Sequence, residues 1–278
     1  MDNKLKLFIY RKSELIRQNK TQLRHFLADQ IGGGKKLKVI YNNREYVFDE
    51  AMDKNYYILY SKDEFECVAI IIDLENKIAE IHGIGNYTSC LDDINTNIGS
   101  TLLKITLKMI KKYKDKLDIK KILITDNSLK KCNYKNIELA PMLTLLTGDT
   151  WYGNIKYNCP RNKNHTDFCL YGNIKYGFKP ADYTLIKYYE NNKKIMNTFT
   201  LKDINLIKYL EMSKLDKKII EKSKEFIEKH QSLLVKDYLS KFLKEYDKTC
   251  EYFCDFYEQL YIDLGLYNFH HRTFELVI

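Results

Sequence analysis

The sequence predicts an α/β (α+β) fold, with strands and helices interleaved over residues 1–190 and a mainly helical C-terminal extension over 191–278. Three observations carry this. Short β-branched and aromatic runs separated by polar turns crowd residues 36–84. A lysine-faced amphipathic stretch then leads into KKILIT, Lys120–Thr125, the pattern of a buried strand. From Thr200 onward, apolar residues recur at helical spacing almost to the end.

Taken in order, Lys12–Ile31 spaces Leu15, Ile16, Leu23, Phe26 and Leu27 as a helix and stops at Gly32-Gly33-Gly34. Strand-like runs follow at Lys36–Tyr41, Arg44–Phe48, Tyr56–Tyr60, Phe65–Ile72 and Lys77–Ile84. Asn42-Asn43 and Glu75-Asn76 read as hairpin turns in this antiparallel meander. The next helix sets Leu102, Ile105, Thr106, Met109 and Tyr113 on one face, opposite Lys104, Lys108, Lys111 and Lys112. Asn95, Thr96 or Asn97 supplies its N-cap. After KKILIT come a turn at Asp126-Asn127-Ser128, a helix over about 136–146 and a strand over Tyr183–Tyr189.

YGNIKY occurs twice, at Tyr152–Tyr157 and Tyr171–Tyr176, as a local duplication rather than a solenoid. In the extension, Thr200 and Asp203 form a capping box for a helix with Leu201, Ile204, Ile207 and Leu210. Further helices cover Asp216–His230 and Ser232–Asp263, the latter rich in aromatic residues, and Arg272–Ile278 reads as a strand.

Lys, Asn, Ile and Tyr are abundant while Ala, Gly, Pro and Arg are scarce, a bias that AT-rich codons account for before function does. Of the net charge of +9, almost all sits in the first 190 residues, where 31 basic side chains face 23 acidic ones; the remainder holds 15 against 14. Such a domain attracts phosphate-rich ligands, but lysine carries less base-reading specificity than arginine, so only charge supports nucleic-acid binding. The seven cysteines are odd in number and follow no signal peptide, and no apolar run is long enough to cross a bilayer. Reduced thiols in a cytoplasmic protein, with no membrane association, are the expectation.

Ile98-Gly99-Ser100-Thr101 at the start of the lysine-faced helix, the preceding strand Lys77–Ile84, the following Ile122–Ser128 and Tyr176-Gly177-Phe178 together resemble the GNAT N-acetyltransferase core. With DNS, LLTGDTWYG and KYGFKP, the wording is similar to GNAT-like proteins encoded by large DNA viruses, which places the protein in host cytoplasm or the virion. The resemblance implies a central mixed sheet flanked by helices and acetyl-CoA as cofactor. Its pyrophosphate would lie on Ile98, Gly99, Ser100 and Thr101, with Asp126 and Asn127 also at the cofactor. It further implies direct attack of an amine on the thioester, with Glu80 or His82 as base and Tyr171 as acid to the leaving thiolate. The phosphate-binding turn of the family reads Arg/Gln-x-x-Gly-x-Gly/Ala. Here Thr96 and Thr101 stand at its first and last positions, and Tyr171 lies six residues before Gly177. A catalytically inactive GNAT-fold scaffold, engaging a protein partner through the C-terminal helices, is therefore the alternative to an enzyme.

Cys159, His165 and Cys169 form C-x5-H-x3-C between the two YGNIKY copies. They are candidate zinc ligands without an adjacent fourth, and unbound thiols are the favoured reading. Cys250 and Cys254, one helical turn apart, read as small core residues. His270-His271 are a weak metal candidate. The acceptor amine has no motif.

Overall fold

The computed structural model describes residues 35–41, 44–53, 56–60, 66–84, 90, 98–132, 134–154, 177–247 and 250–278. The helix expected over Lys12–Ile31, the Asn42-Asn43 turn and the caps Asn95, Thr96 and Asn97 lie outside them. So do the second YGNIKY, Tyr171 and the Cys159, His165, Cys169 trio. The chain is a mixed α/β protein and divides into two compact units, residues 1–122 with Ile278, and residues 123–277. The sequence reading places a boundary near 190. The second unit crosses that point because its last strand returns to the segment after residue 122.

The first unit holds an antiparallel meander, β1 (Lys35–Tyr41), β2 (Arg44–Asp53), β3 (Tyr56–Tyr60), β4 (Glu66–Asp73) and β5 (Ile78–Ile84), paired in sequence order. The expected turn between β4 and β5 is held by Asp73, whose Oδ1 accepts the Asn76 N–H at 2.9 Å and whose Oδ2 accepts the Asn76 amide at 2.7 Å. Those bonds hold the Asp73 carboxyl below its usual range. Cys67 to Ile70 are buried on both faces of β4, while Ile72, Ala79 and Ile81 are buried in alternation with half-buried or exposed neighbours.

α1 (Ile98–Leu117) packs on β1, β4 and β5 through Leu102, Leu103, Ile105, Leu107, Met109 and Ile110, all buried. Thr106 is buried with them and returns its hydroxyl proton to the Leu102 carbonyl at 2.8 Å, so no polar atom is stranded. Of the lysine face, Lys104 and Lys111 are half-buried and Lys108 is exposed, its Nζ donating to the Ile40 carbonyl at 2.8 Å. β6 (Lys121–Thr125) begins beside β5, the Lys120 N–H donating to the Lys77 carbonyl at 2.8 Å. Both strands thus start together and run parallel, and β5–α1–β6 is a crossover unit.

The second unit takes up β6 from Leu123 and adds β10 (Thr273–Val277) and β9 (Lys179–Pro180) in the order β6-β10-β9. A small hairpin, β7 (Leu129–Lys131) with β8 (Asn136–Glu138), precedes α2 (Leu139–Thr147) and α3 (Trp151–Asn154). The helix expected over about 136–146 therefore starts three residues late, because Asn136–Glu138 pair with β7. α2 ends at Gly148, which takes the left-handed conformation at φ 81° and donates its N–H to the Thr144 carbonyl.

Tyr183–Tyr189, expected as a strand, is instead a 3-10 turn over Tyr183–Leu185 followed by α4 (Ile186–Thr198). Asp182 caps the turn by accepting the Thr184 N–H, and Tyr189, Asn192 and Met196 then bury one helical face. The capping box at Thr200 and Asp203 is present, but it closes a single 3-10 turn, and α5 (Leu206–Met212) starts afterwards. α6 (Lys217–Lys229) matches its expected span.

The long aromatic helix is two helices, α7 (Val235–Tyr246) and α8 (Glu251–Asp263). They are separated where Cys250 takes a left-handed φ of 58°, and Asp247 Oδ2 accepts the Phe253 N–H at 2.5 Å to cap the second. Leu210, Leu239, Phe242, Phe253, Phe256 and Leu260 form the centre of this unit's core.

The expectation of reduced cysteines is corrected. Cys67 is bonded to Cys90 and Cys132 to Cys250, while Cys254 is a buried free thiol. Folding brings Cys132 to Cys250 across 118 residues with a Cα separation of 5.6 Å, inside the range a disulfide needs. No helix among the described residues is long and apolar enough to cross a membrane.

Candidate functional site

Where β6 ends, the second unit brings together Asp126, Glu138, His270 and His271. The Asp126 N–H donates to the Arg272 carbonyl at 2.9 Å, and the His271 N–H donates to the Asp126 carbonyl at 2.7 Å. This antiparallel lock, extended by the Thr125 and Thr273 hydroxyls at 3.0 Å, sets the His270-His271 pair beside the Asp126-Asn127 turn.

Asp126 is completely buried. Its Oδ1 accepts both the N–H (3.0 Å) and the hydroxyl of Ser128, an arrangement that closes the turn, while its Oδ2 is buried without a hydrogen-bond partner. Burial pushes the Asp126 carboxyl above the usual carboxylate range, against the opposing pull of the Ser128 bonds and the His270 charge. Glu138, the residue before α2, spends its carboxylate on the other side of the group: Oε2 accepts the Asn268 amide at 2.7 Å, and Oε1 lies 3.9 Å from His270 Nε2.

His270 is held by two neighbours and its imidazole is buried. Its N–H donates to Asn268 Oδ1 at 2.8 Å, its ring meets His271 with centroids 3.9 Å apart, and the imidazole is 7% exposed. Its Nδ1 is buried without a partner. His271 takes a left-handed φ of 59° and places Nδ1 2.7 Å from Asn127 Oδ1. Tyr152 closes the apolar side, its ring packed against Phe178 and Phe274, and its phenol is pushed up by burial first and by the Asp126 charge second.

The outcome is a carboxylate oxygen and an imidazole nitrogen, both buried and both unpartnered, in one polar cluster. Buried polar atoms are satisfied in the great majority of cases, so such atoms mark places that accept a water, a proton or a ligand group. A protonated His270 forms an ion pair with Glu138; a neutral one offers a lone pair or an N–H at Nδ1.

A second buried network supports the same corner. Asp149 Oδ1 accepts the Tyr189 hydroxyl at 2.7 Å and the Thr150 N–H at 2.8 Å, and Oδ2 pairs with Lys193 Nζ at 3.2 Å. Gly153 sits against it: a Cβ there would collide with the Asp149 carboxylate and the Tyr189 hydroxyl.

The other described candidates from the sequence lie in the first unit. Glu80 is half-buried on β5. His82 is exposed and is the extra residue of a β-bulge, since Ala69 pairs with Gly83 and Ile70 with Ile81. The bulge shifts the alternation expected to set both residues on one face. Ile98 is buried and Gly99, Ser100 and Thr101 are half-buried in the first turn of α1, where helix N–H groups lack intrahelical acceptors.

Sequence reasoning reached Asp126 and Asn127 but not their meeting with Glu138 and His270. The signal was present in the His-His pair just before a terminal strand; which strand it joins was not. Compared with protein-family models, curated proteins and solved structures, the chain finds no match.

Proposed function

We propose that the chain is a GNAT-like protein, an acetyl-CoA-dependent N-acyltransferase or its degenerate descendant. The observation that carries this reading is the bulged strand β5 feeding the crossover helix α1 with Gly99 in its first turn. A bulge takes a main-chain N–H out of the ladder, where it can donate to the oxyanion of an acyl-transfer intermediate. The free N–H groups and dipole at the start of α1 favour a pyrophosphate.

In that reaction the acceptor amine attacks the thioester carbonyl, and the tetrahedral intermediate collapses with loss of the coenzyme thiolate. Glu80 or His82 takes the amine proton, directly or through one water. Tyr171, assigned from the sequence to return a proton to the thiolate, lies outside the described residues. Asp126 and Asn127, assigned to the cofactor from the sequence, belong to the polar cluster of the second unit.

The second reading, an inactive scaffold, is favoured by Thr101. A β-branched side chain stands where the family keeps Gly or Ala for close approach of phosphate. Calorimetric titration of the full chain with acetyl-CoA separates the two. Micromolar affinity, about 8 kcal/mol, abolished in Gly99→Glu with the circular dichroism unchanged, supports the cofactor site. Absence of binding at millimolar acetyl-CoA rules out the enzyme and leaves the scaffold.

A further inference from the structure

We propose that Cys132, Cys250 and Cys254 form a redox-gated binding site for a thiophilic d10 cation, Zn(II) or Cu(I). The three Sγ atoms lie within 4.8 Å of one another, and the residues are 4%, 0% and 1% exposed. They come from two separate elements. Cys132 follows β7, its N–H fixed on the Lys135 carbonyl at 2.9 Å, and Cys250 and Cys254 span the first turn of α8, with the Cys254 N–H on the Cys250 carbonyl at 3.0 Å.

A structural disulfide needs two cysteines, and the third has no part in it. Three converging thiols are what soft d10 cations select, with metal–sulfur distances near 2.3 Å for zinc. Burial, with Asp247, Asp255 and Glu258 nearby, pushes the Cys254 thiol up to about 11 against the pull of Lys135. The cation itself must therefore displace the proton, and the N-terminal end of α8 favours the resulting thiolates.

The two states exchange by balanced chemistry. In the oxidised state, Cys132 and Cys250 share a disulfide and Cys254 is a thiol. A dithiol reductant supplies two electrons and two protons, the S–S bond breaks, and the reductant becomes its own cyclic disulfide. The cation then displaces up to three protons from the three thiols. Reoxidation by a small-molecule disulfide reforms Cys132–Cys250, yields two small-molecule thiols and releases the cation. In a thiol-reduced compartment the metal state prevails, and in an oxidising one the disulfide state.

The test uses the full chain, reduced by a dithiol, freed of it without oxygen, and titrated separately with Zn(II), with Co(II) as its spectroscopic stand-in, and with chelator-buffered Cu(I). Alkylation of all seven cysteines is then mapped by peptide mass. The expected result is one cation per chain, thiolate-to-cobalt charge-transfer absorption, and at least tenfold slower alkylation of Cys132, Cys250 and Cys254 alone. Oxidation with glutathione disulfide should release the ion. Cys254→Ser should lose at least tenfold in affinity while still forming Cys132–Cys250. Undiminished alkylation of Cys254 at saturating cation overturns the proposal, as does protection that falls on Cys159 and Cys169 instead. The alkylation map of the unsubstituted chain decides the matter should Cys254→Ser fail to fold.

Discussion

Asn192 clasps the main chain of Tyr267: its Nδ2 donates to the Tyr267 carbonyl at 2.7 Å while its Oδ1 accepts the Tyr267 N–H at 2.9 Å. The amide is 2% exposed, and Tyr261 adds its hydroxyl to the same carbonyl. A side chain of α4 thereby fixes the segment that carries His270 and His271 into β10.

Asn192→Leu should therefore strand the Tyr267 N–H and cost about 1–3 kcal/mol in urea unfolding. Asn192→Asp should cost more, since it keeps the acceptor but sets a carboxylate oxygen against a carbonyl. An Asp variant as stable as the wild type would show that the clasp carries no weight.

Gly153→Ala should destabilise by about 1–3 kcal/mol through overpacking, because the new methyl meets the Asp149 carboxylate and the Tyr189 hydroxyl. Gly265→Ala supplies the contrast. Nothing lies within 4 Å of its Cβ, so its cost comes only from the left-handed φ of 64°. Thermal denaturation of both variants separates collision from backbone preference.

Asp126 predicts a pH dependence of one sign. Its folded-state carboxyl titrates above the unfolded value of 3.8, so the native state binds more protons between the two. Stability relative to Asp126→Asn should be highest in acid, fall as pH rises through this interval, and level off above it. Urea midpoints measured for both proteins across that range check it; a constant difference would contradict the buried, unpartnered Oδ2.

Asp263 predicts the opposite sign. Its Oδ2 accepts from Tyr209 at 2.5 Å and Lys208 at 2.9 Å, its Oδ1 accepts from Gln259 at 2.7 Å, and these bonds lower its carboxyl from 3.8 to about 2. Its contribution, tying α5 to α8, is complete above the unfolded value and disappears as pH falls through about 2. Asp263→Asn should lower stability at neutral pH, flatten that acid limb of the unfolding profile, and converge with the wild type below about pH 2.

The strands β1 to β5, helix α1 and β6 were legible because alternation and amphipathic spacing are local and each strand pairs with its neighbour in sequence. α4 was missed because apolar and polar residues alternate over Tyr183–Tyr189 as well. The Asp182 cap and the burial of Asn192 and Met196 one and two turns on settle it as a helix. The break at Cys250 was missed because a disulfide partner 118 residues away, not a Gly or Pro, occupies it. The polar cluster failed for a related reason. Asn127 and His271 meet across 144 residues, and a strand's edge pattern names no partner.

The pairing of β6 with β10 has a consequence for synthesis of the chain. Thr125 leaves the ribosome 148 residues before Thr273, its partner across the sheet. At roughly 5–20 residues per second, the β10 side of β6 waits roughly 7–30 seconds without its strand. An apolar KILIT edge open for that time is a template for other nascent chains. During that interval β6 is open to edge pairing with other nascent chains, and a chaperone that shields it during translation should raise the yield.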